Sequence, residues 1–432
     1  MKKVFIISSL ILFTISNASA VTLYEALNQT YKNNLELKAE RKNLDVQQEV
    51  LNISKSDFFP SLTLKGTKNI EDTNKLTNKA GEDASISDVN TLTSSIKLEQ
   101  TILDGNGRDV KYEKSKLGLN LTEAKLIQKE QEIFLKAIEA YTGLILANET
   151  LIINKENVDL LQNQFEIDNA RLSRAQITAT DLAQSQSSLA GAQAGYIEAQ
   201  NLIVTSKLLY QNIIGQIDDS EKLKKIYKTK EIIPSSLDEA RKISQQKSPE
   251  LIISEIEYGQ SELDVKIAKS DLSPTAKLSL ERTYVDELSS TYDEREKDVL
   301  QATVSWPFQF GGKNKSNVKK NLQVKGMKRL LLDNAYRNNI QSVTAAWSTL
   351  ESSKSFLRAV QSQVKAAEIA NEGITYEYEN GLNRSTFDVL QSRSNLLNAK
   401  INLAKADRNY LLAQFKLLKS VGLLNSKDLK LR

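Results

Sequence analysis

Few residues of this chain are of a type that does covalent chemistry, and that scarcity is the first constraint. Across 432 residues there is no His and no Cys, which removes most metal-ligand sets, all disulfides and nearly every nucleophile–imidazole arrangement. Carboxylates are spread along helical stretches rather than gathered near strand ends, so no catalytic constellation forms and neither a metal nor a cofactor is expected. Gly105-x-Gly107 fails as a nucleotide loop because no βαβ unit surrounds it. The informative spacings are Thr178-x-x-Asp181 and Ser385-x-x-Asp388. Each is a capping box that starts a helix and sets a carboxylate in its first turn. Structural capping and a role for the exposed charge compete at both sites.

The elements that position these boxes occur twice. Leu23, Glu25, Ala26, Glu36, Leu37, Ile53, Lys55, Ser56, Asp57, Pro60 and Leu64 recur 214 positions later, as Leu237 through Leu278. Asp181, Gln184, Ser185, Ser187, Leu189, Ala192, Ala199 and Gly215 recur 207 positions later, as Asp388 through Gly422. Identities at two fixed offsets mark a duplicated unit of about 200 residues. We place the copies at 21–221 and 222–432, the second ending in a short C-terminal tail, and assign the difference in offset to loop length between strands.

Lys2 and Lys3, the apolar run Val4–Ile15 and the small residues Ala18-Ser19-Ala20 form an export signal over residues 1–20. No later run approaches the length of an apolar membrane-spanning helix. The formal net charge of +4 gives no reason to expect nucleic acid.

Each copy opens with a capping box, Thr22-x-x-Glu25 or Ser236-x-x-Glu239. A short helix follows, then a break at Asn33-Asn34 or Lys247-Ser248, then a helix ending at Asp57 or Asp271. Long stretches poor in Pro and Gly predict helices over about 108–171 and 314–379, with return helices over about 180–214 and 386–421. Phe134, Ala137, Ile138, Tyr141, Leu144 and Ile145 lie on one apolar stripe. At 1.5 Å per residue, some 65 residues make a rod of about 100 Å, longer than a globular core needs.

Four short windows alternate apolar with polar residues: Leu62–Thr67, Leu92–Ile102, Ala276–Tyr284 and Leu300–Phe310. They predict β-hairpins over about 61–103 and 275–310, with long polar connections at Glu71–Asn90 and Asp286–Lys297. Length and dyad pattern match outer-membrane barrel strands. Phe58, Phe59, Trp306, Phe308 and Phe310 are candidates for an aromatic girdle. Glycines near 105–107 and 311–312 mark strand-to-helix turns. Alternation also fits a soluble α+β protein whose hairpins lay their apolar faces on helices. If the strands do face lipid, four cannot close a barrel, so protomers must pool them.

Tyr378-Glu-Asn-Gly381, Ser385-Thr-Phe-Asp388-Val-Leu390 and Leu397-Asn-Ala-Lys400 resemble the last-helix signature of the TolC-type outer-membrane efflux family. Ser56-Asp-Phe-Phe-Pro60 and Trp306-Pro-Phe-Gln-Phe-Gly-Gly312 resemble two further family motifs. The resemblance implies a membrane α+β fold: a homotrimer with four strands per protomer, pooled in one twelve-stranded β-barrel and continued by a long coiled-coil helical barrel in the periplasm. It implies a passive exit duct for tripartite efflux or type I secretion, working with a periplasmic adaptor and an inner-membrane pump of ABC, RND or MFS type. It also places Asp388, Arg384, Tyr378 and Asp181 at the periplasmic tip as gate candidates, with Asp388 in a ring at the constriction. Where some members carry a second acid one turn on, this chain has Gln391. The rival is a periplasmic coiled-coil structural or adaptor protein without a barrel.

Overall fold

The computed structural model describes residues 21–83, 90–217, 223–225, 232–288, 292–308, 310–382 and 384–431. The expected export signal lies outside them. The first copy runs α1 (Leu23–Asn33), α2 (Leu35–Ser56), β1 (Ser61–Ile70), β2 (Asn90–Leu103), α3 (Gly107–Ser173) and α4 (Ala179–Ile213). The second repeats that order as α5 (Leu237–Lys247), α6 (Pro249–Ser270), β3 (Thr275–Asp286), β4 (Glu294–Ser305), α7 (Lys313–Glu379) and α8 (Thr386–Ser420). Both long helices have 67 residues and both return helices 35.

Local chemistry sets the helix ends. Thr22 accepts from the Glu25 amide while the Glu25 carboxylate accepts from the Thr22 amide, completing the first box. The second box departs from expectation. Ser236 accepts from the Glu239 amide, but the Glu239 carboxylate turns to the amide and hydroxyl of Ser235. A serine on each side of the cap offers that carboxylate a choice, and the outer one wins.

The four strands form one antiparallel sheet in the order β1-β2-β3-β4. Two strand ends differ from the alternation. β4 starts at Glu294, because Glu294–Lys297 pair in register with Asp286–Thr283 although their charge reads as loop. It stops at Ser305, before Trp306, since Pro307 has no N–H to continue a ladder. Trp306, Phe308 and Phe310 therefore belong to the junction between β4 and α7, not to the strand, and Phe58 and Phe59 sit in the turn between α2 and β1. Gly105 and Gly312 adopt φ of 62° and 70° at the strand-to-helix turns, and a Cβ on Gly105 would collide with the Ser273 side chain.

The offset between copies falls for more than one reason. In the second copy the strand connection is twelve residues shorter, the strand-to-helix junction four longer and the turn from the long helix to the return helix one longer.

Two compact units emerge. One comprises Met1–Ala39, Ile127–Ser248 and Asn339–Arg432; the other comprises Glu40–Leu126 and Pro249–Asn338. In the first, the predicted stripe Phe134, Ala137, Ile138, Tyr141, Leu144 and Ile145 is buried, with Leu37, Tyr210, Val343, Leu417 and Leu424 in the same core. The Tyr141 hydroxyl is 2.8 Å from the Val21 carbonyl and 2.9 Å from that of Lys224, so this large side chain also ties down neighbouring chain segments.

Candidate functional site

In the second unit the sheet has two unlike faces. Register places Leu62, Leu64, Ile96, Leu98, Leu278, Leu280, Leu300 and Val304 together on one face. Thr63, Lys97, Glu99, Ser279, Glu281 and Gln301 share the other. Along β2 the polar-face residues are half-buried while the apolar ones are exposed, and Leu280 and Leu300 are 52% and 72% exposed. The sheet therefore curls around its polar side. Leucines left outside suit lipid, and threonines with ion pairs inside suit water. A soluble α+β protein would cover that apolar face with helices. Here it is bare.

The gate candidates lie in the first unit, at the α3–α4 and α7–α8 turns. Both turns close α3 and α7 with the paired backbone bonds of a Schellman motif. At the first, Gln176 N donates to Arg171 O (2.9 Å) and Ala175 N to Leu172 O (2.8 Å). At the second, Leu382 N donates to Glu377 O (2.9 Å) and Gly381 N to Tyr378 O (3.3 Å). The left-handed position holds Gly381 (φ 73°) in one copy and Ala175 (φ 53°) in the other. A cleft of about 860 Å³ between the turns is lined by Asp181, Tyr378 and Arg384, among others.

Each candidate has a definite partner. Asp388 accepts from the Ser385 amide and hydroxyl, both at 2.9 Å. Asp181 does the same with Thr178 at 2.9 and 2.7 Å. The backbone bond, then the hydroxyl bond, holds each carboxyl below its usual range, and Arg384 adds attraction at Asp388. Arg384 donates from Nε to Glu377 at 2.5 Å, and that pairing raises its already high value.

Tyr378 is 5% exposed and makes the most buried connection of the group. Its hydroxyl donates to Asp168 Oδ1 at 2.7 Å and lies 3.1 Å from Thr386 Oγ1. Burial raises its pKa. Asp168, fully buried, also accepts from Gln164 at 3.0 Å and from the Ser185 hydroxyl. The Arg171 guanidinium stacks 4.2 Å from the Tyr378 ring and donates to the Tyr378 carbonyl at 3.4 Å. One knot thus joins α3, α4, α7 and α8. The structure does not bond Arg384, Asp181 and Tyr378 to one another; each is tied separately.

Asp168, Arg171 and Glu377 escaped the sequence reading. A signal existed for Asp168: Asn154, Asn157, Leu161, Gln164 and Asp168 follow a 3–4 spacing, and all are buried. Polar residues on a heptad seam are costly unless they pair, so they point to a specific contact.

The model of the outer membrane efflux protein family matches residues 26–216 and 241–423. The chain belongs to the outer membrane efflux protein family. Its relatives include the outer membrane efflux protein BepC of Brucella suis, 24% identical over 96% of this chain and 88% of that protein. The alkaline protease secretion protein AprF of Pseudomonas aeruginosa is also 24% identical, over 80% and 72%. Among solved structures, the Campylobacter jejuni CmeC outer membrane channel superposes with a TM-score of 0.80 at 17% identity, covering 93% of this chain and 85% of that one. The fold is that of the trimeric outer-membrane channels, with strands pooled into one barrel and a helical part in the periplasm. A member of this family is an outer-membrane exit duct rather than a periplasmic scaffold.

Proposed function

We propose that the α3–α4 and α7–α8 turns form a gated periplasmic tip and that the Asp168–Tyr378 knot holds it closed. The supporting observation is the burial of that pair: a tyrosine hydroxyl 2.7 Å from a fully buried carboxylate binds one copy's long helix to the other's. Arg384–Glu377 is the outer fastening, exposed and individually weak, since such pairs contribute under about 1 kcal/mol. Asp181 and Asp388 are first of all helix caps, and Asp388 presents its charge near the α7–α8 turn beside Arg384. An adaptor meeting the tip and displacing α7–α8 from α3 opens the duct to cargo from an inner-membrane pump of ABC, RND or MFS type. Relatives named for efflux and for protease secretion fit one duct shared by both kinds of export. Phe58, Phe59, Trp306, Phe308 and Phe310, all exposed at the helix-side end of the sheet, suit the periplasmic membrane interface, with outer-membrane lipid above them.

The test is Arg384→Ser in planar bilayers. Single-channel conductance rises if Arg384 fastens the tip, and an unchanged conductance removes it from the gate.

A further inference from the structure

The polar face of the sheet is not electrically neutral. It carries Lys65, Lys97, Lys277, Arg295 and Lys297 against Glu99 and Glu281. The low pair of lysines is neutralised in place: Glu99 sits 2.8 Å from both Lys97 and Lys277, and Glu281 lies opposite Lys97 in register. Among the described residues, Lys65, Arg295 and Lys297 have no carboxylate in ion-pair range. Their positions are ordered. Lys65 pairs across to Ser95, Ser95 to Thr283 and Thr283 to Lys297, so two lysines occupy the two edges of one transverse row. Arg295 lies one row nearer the hairpin connections, opposite Val285. In sequence those connections carry Glu71, Asp72, Glu82, Asp83, Asp88, Glu287 and Asp293 against Lys75 and Lys79, but past the strand ends, where water screens charge.

Resting on the duct reading, the geometry points to Lys65, Lys297 and Arg295 as an anion-favouring ring in the barrel wall, which selects for negatively charged cargo at the exit. Closing the sheet with two further copies brings the edge lysines of each protomer toward those of its neighbours. Twelve strands about 4.8 Å apart and tilted about 40° enclose a backbone radius of about 12 Å. Side chains then bring the wall to within about 8 Å of the axis, near one Debye length at physiological salt. Unpaired charges at that range are felt across the whole lumen, and low-dielectric walls focus their field. The ligand class is a carboxylate- or phosphate-bearing solute, or an acidic stretch of polypeptide.

The experiment compares the chain with Lys65→Glu/Lys297→Glu in planar bilayers under a potassium chloride gradient. Both are also measured in an Asp181→Asn/Asp388→Asn background, so that tip carboxylates do not mask the barrel. In that background the parent passes chloride in preference to potassium, and the charge reversal lowers the chloride-to-potassium permeability ratio by about threefold or more. Polyglutamate added on the barrel side blocks the parent at lower concentration than it blocks the reversed variant. A permeability ratio unmoved by reversal, with polyglutamate equally effective on both, overturns the ring. Absence of channels in every variant overturns the duct, and the ring with it.

Discussion

Replacing Tyr378 with Phe tests the proposed gate at its most buried point. The change deletes one hydroxyl and keeps the ring, so the Arg171 stack at 4.2 Å survives. Asp168 keeps Gln164 and Ser185 as donors, so the closed state loses a bond without gaining a bare buried charge. A hydrogen bond to an ionised group contributes about 1.5–3 kcal/mol net. Removing it shifts the closed-to-open ratio by roughly 10- to 150-fold for each protomer. Opening that involves all three protomers together multiplies the shift, making one protomer's value a lower bound. Single-channel recording in planar bilayers reads the effect as longer open dwell times and a larger mean conductance. Trimer content, checked in parallel, stays close to the parent, because the substitution leaves the core cluster around Phe134 and Tyr141 untouched. Unchanged open probability in intact Tyr378→Phe trimers would refute the knot as a latch. The hydroxyl would then be a satisfied buried group and nothing more.

Other outcomes follow from particular residues. Ala175→Gly stabilises the α3–α4 turn by about 1 kcal/mol, since an L side chain is strained at φ 53°; an unaltered melting temperature and unaltered amide exchange at Gln176 count against it. Leu280→Arg, on the bare face, costs about 2–4 kcal/mol at the bilayer midplane and reduces folding into lipid vesicles, whereas Ser279→Arg on the polar face leaves insertion intact; equal loss from both would reverse the assignment of faces. The carboxyls of Asp181 and Asp388 are depressed in the folded chain, so their caps contribute stability above the unfolded carboxylate value and lose it as pH falls through the lower folded one. The first turns of α4 and α8 therefore stay protected at pH 5 and fray only below about pH 4; exchange of the Asp181 and Asp388 amides that accelerates well above that point contradicts the capping geometry.

Much of the architecture was legible because the periodicities are long and clean. Helices α3 and α7 lack proline, and the α3 stripe from Phe134 to Ile145 is buried as its spacing predicts. Hairpins showed through Leu62/Leu64 and Leu278/Leu280 because a two-residue period has few competing explanations. Strand ends were obscure for a physical reason: Glu294–Lys297 are charged on both faces, so pairing with Asp286–Thr283, not polarity, makes them strand. The α7–α8 turn was half legible. Ser385 with Asp388 is a local spacing, whereas Asp168 and Tyr378 are 210 positions apart and meet only through the packing of helices. No pattern along one segment records such a meeting.

The uncovered leucine face and the two unpaired edge strands, β1 and β4, bear on how the protein is made. A lone protomer has no stable resting place: in water it offers aggregation-prone edges, and in lipid it leaves a row of peptide groups unsatisfied. Its sheet becomes a finished structure only on meeting two sister chains at a bilayer. The assembly equilibrium then carries the third power of polypeptide concentration, whereas the folding of a monomer is independent of it. Until that meeting, the same edges and leucines that close the barrel are the ones that would drive wrong pairings.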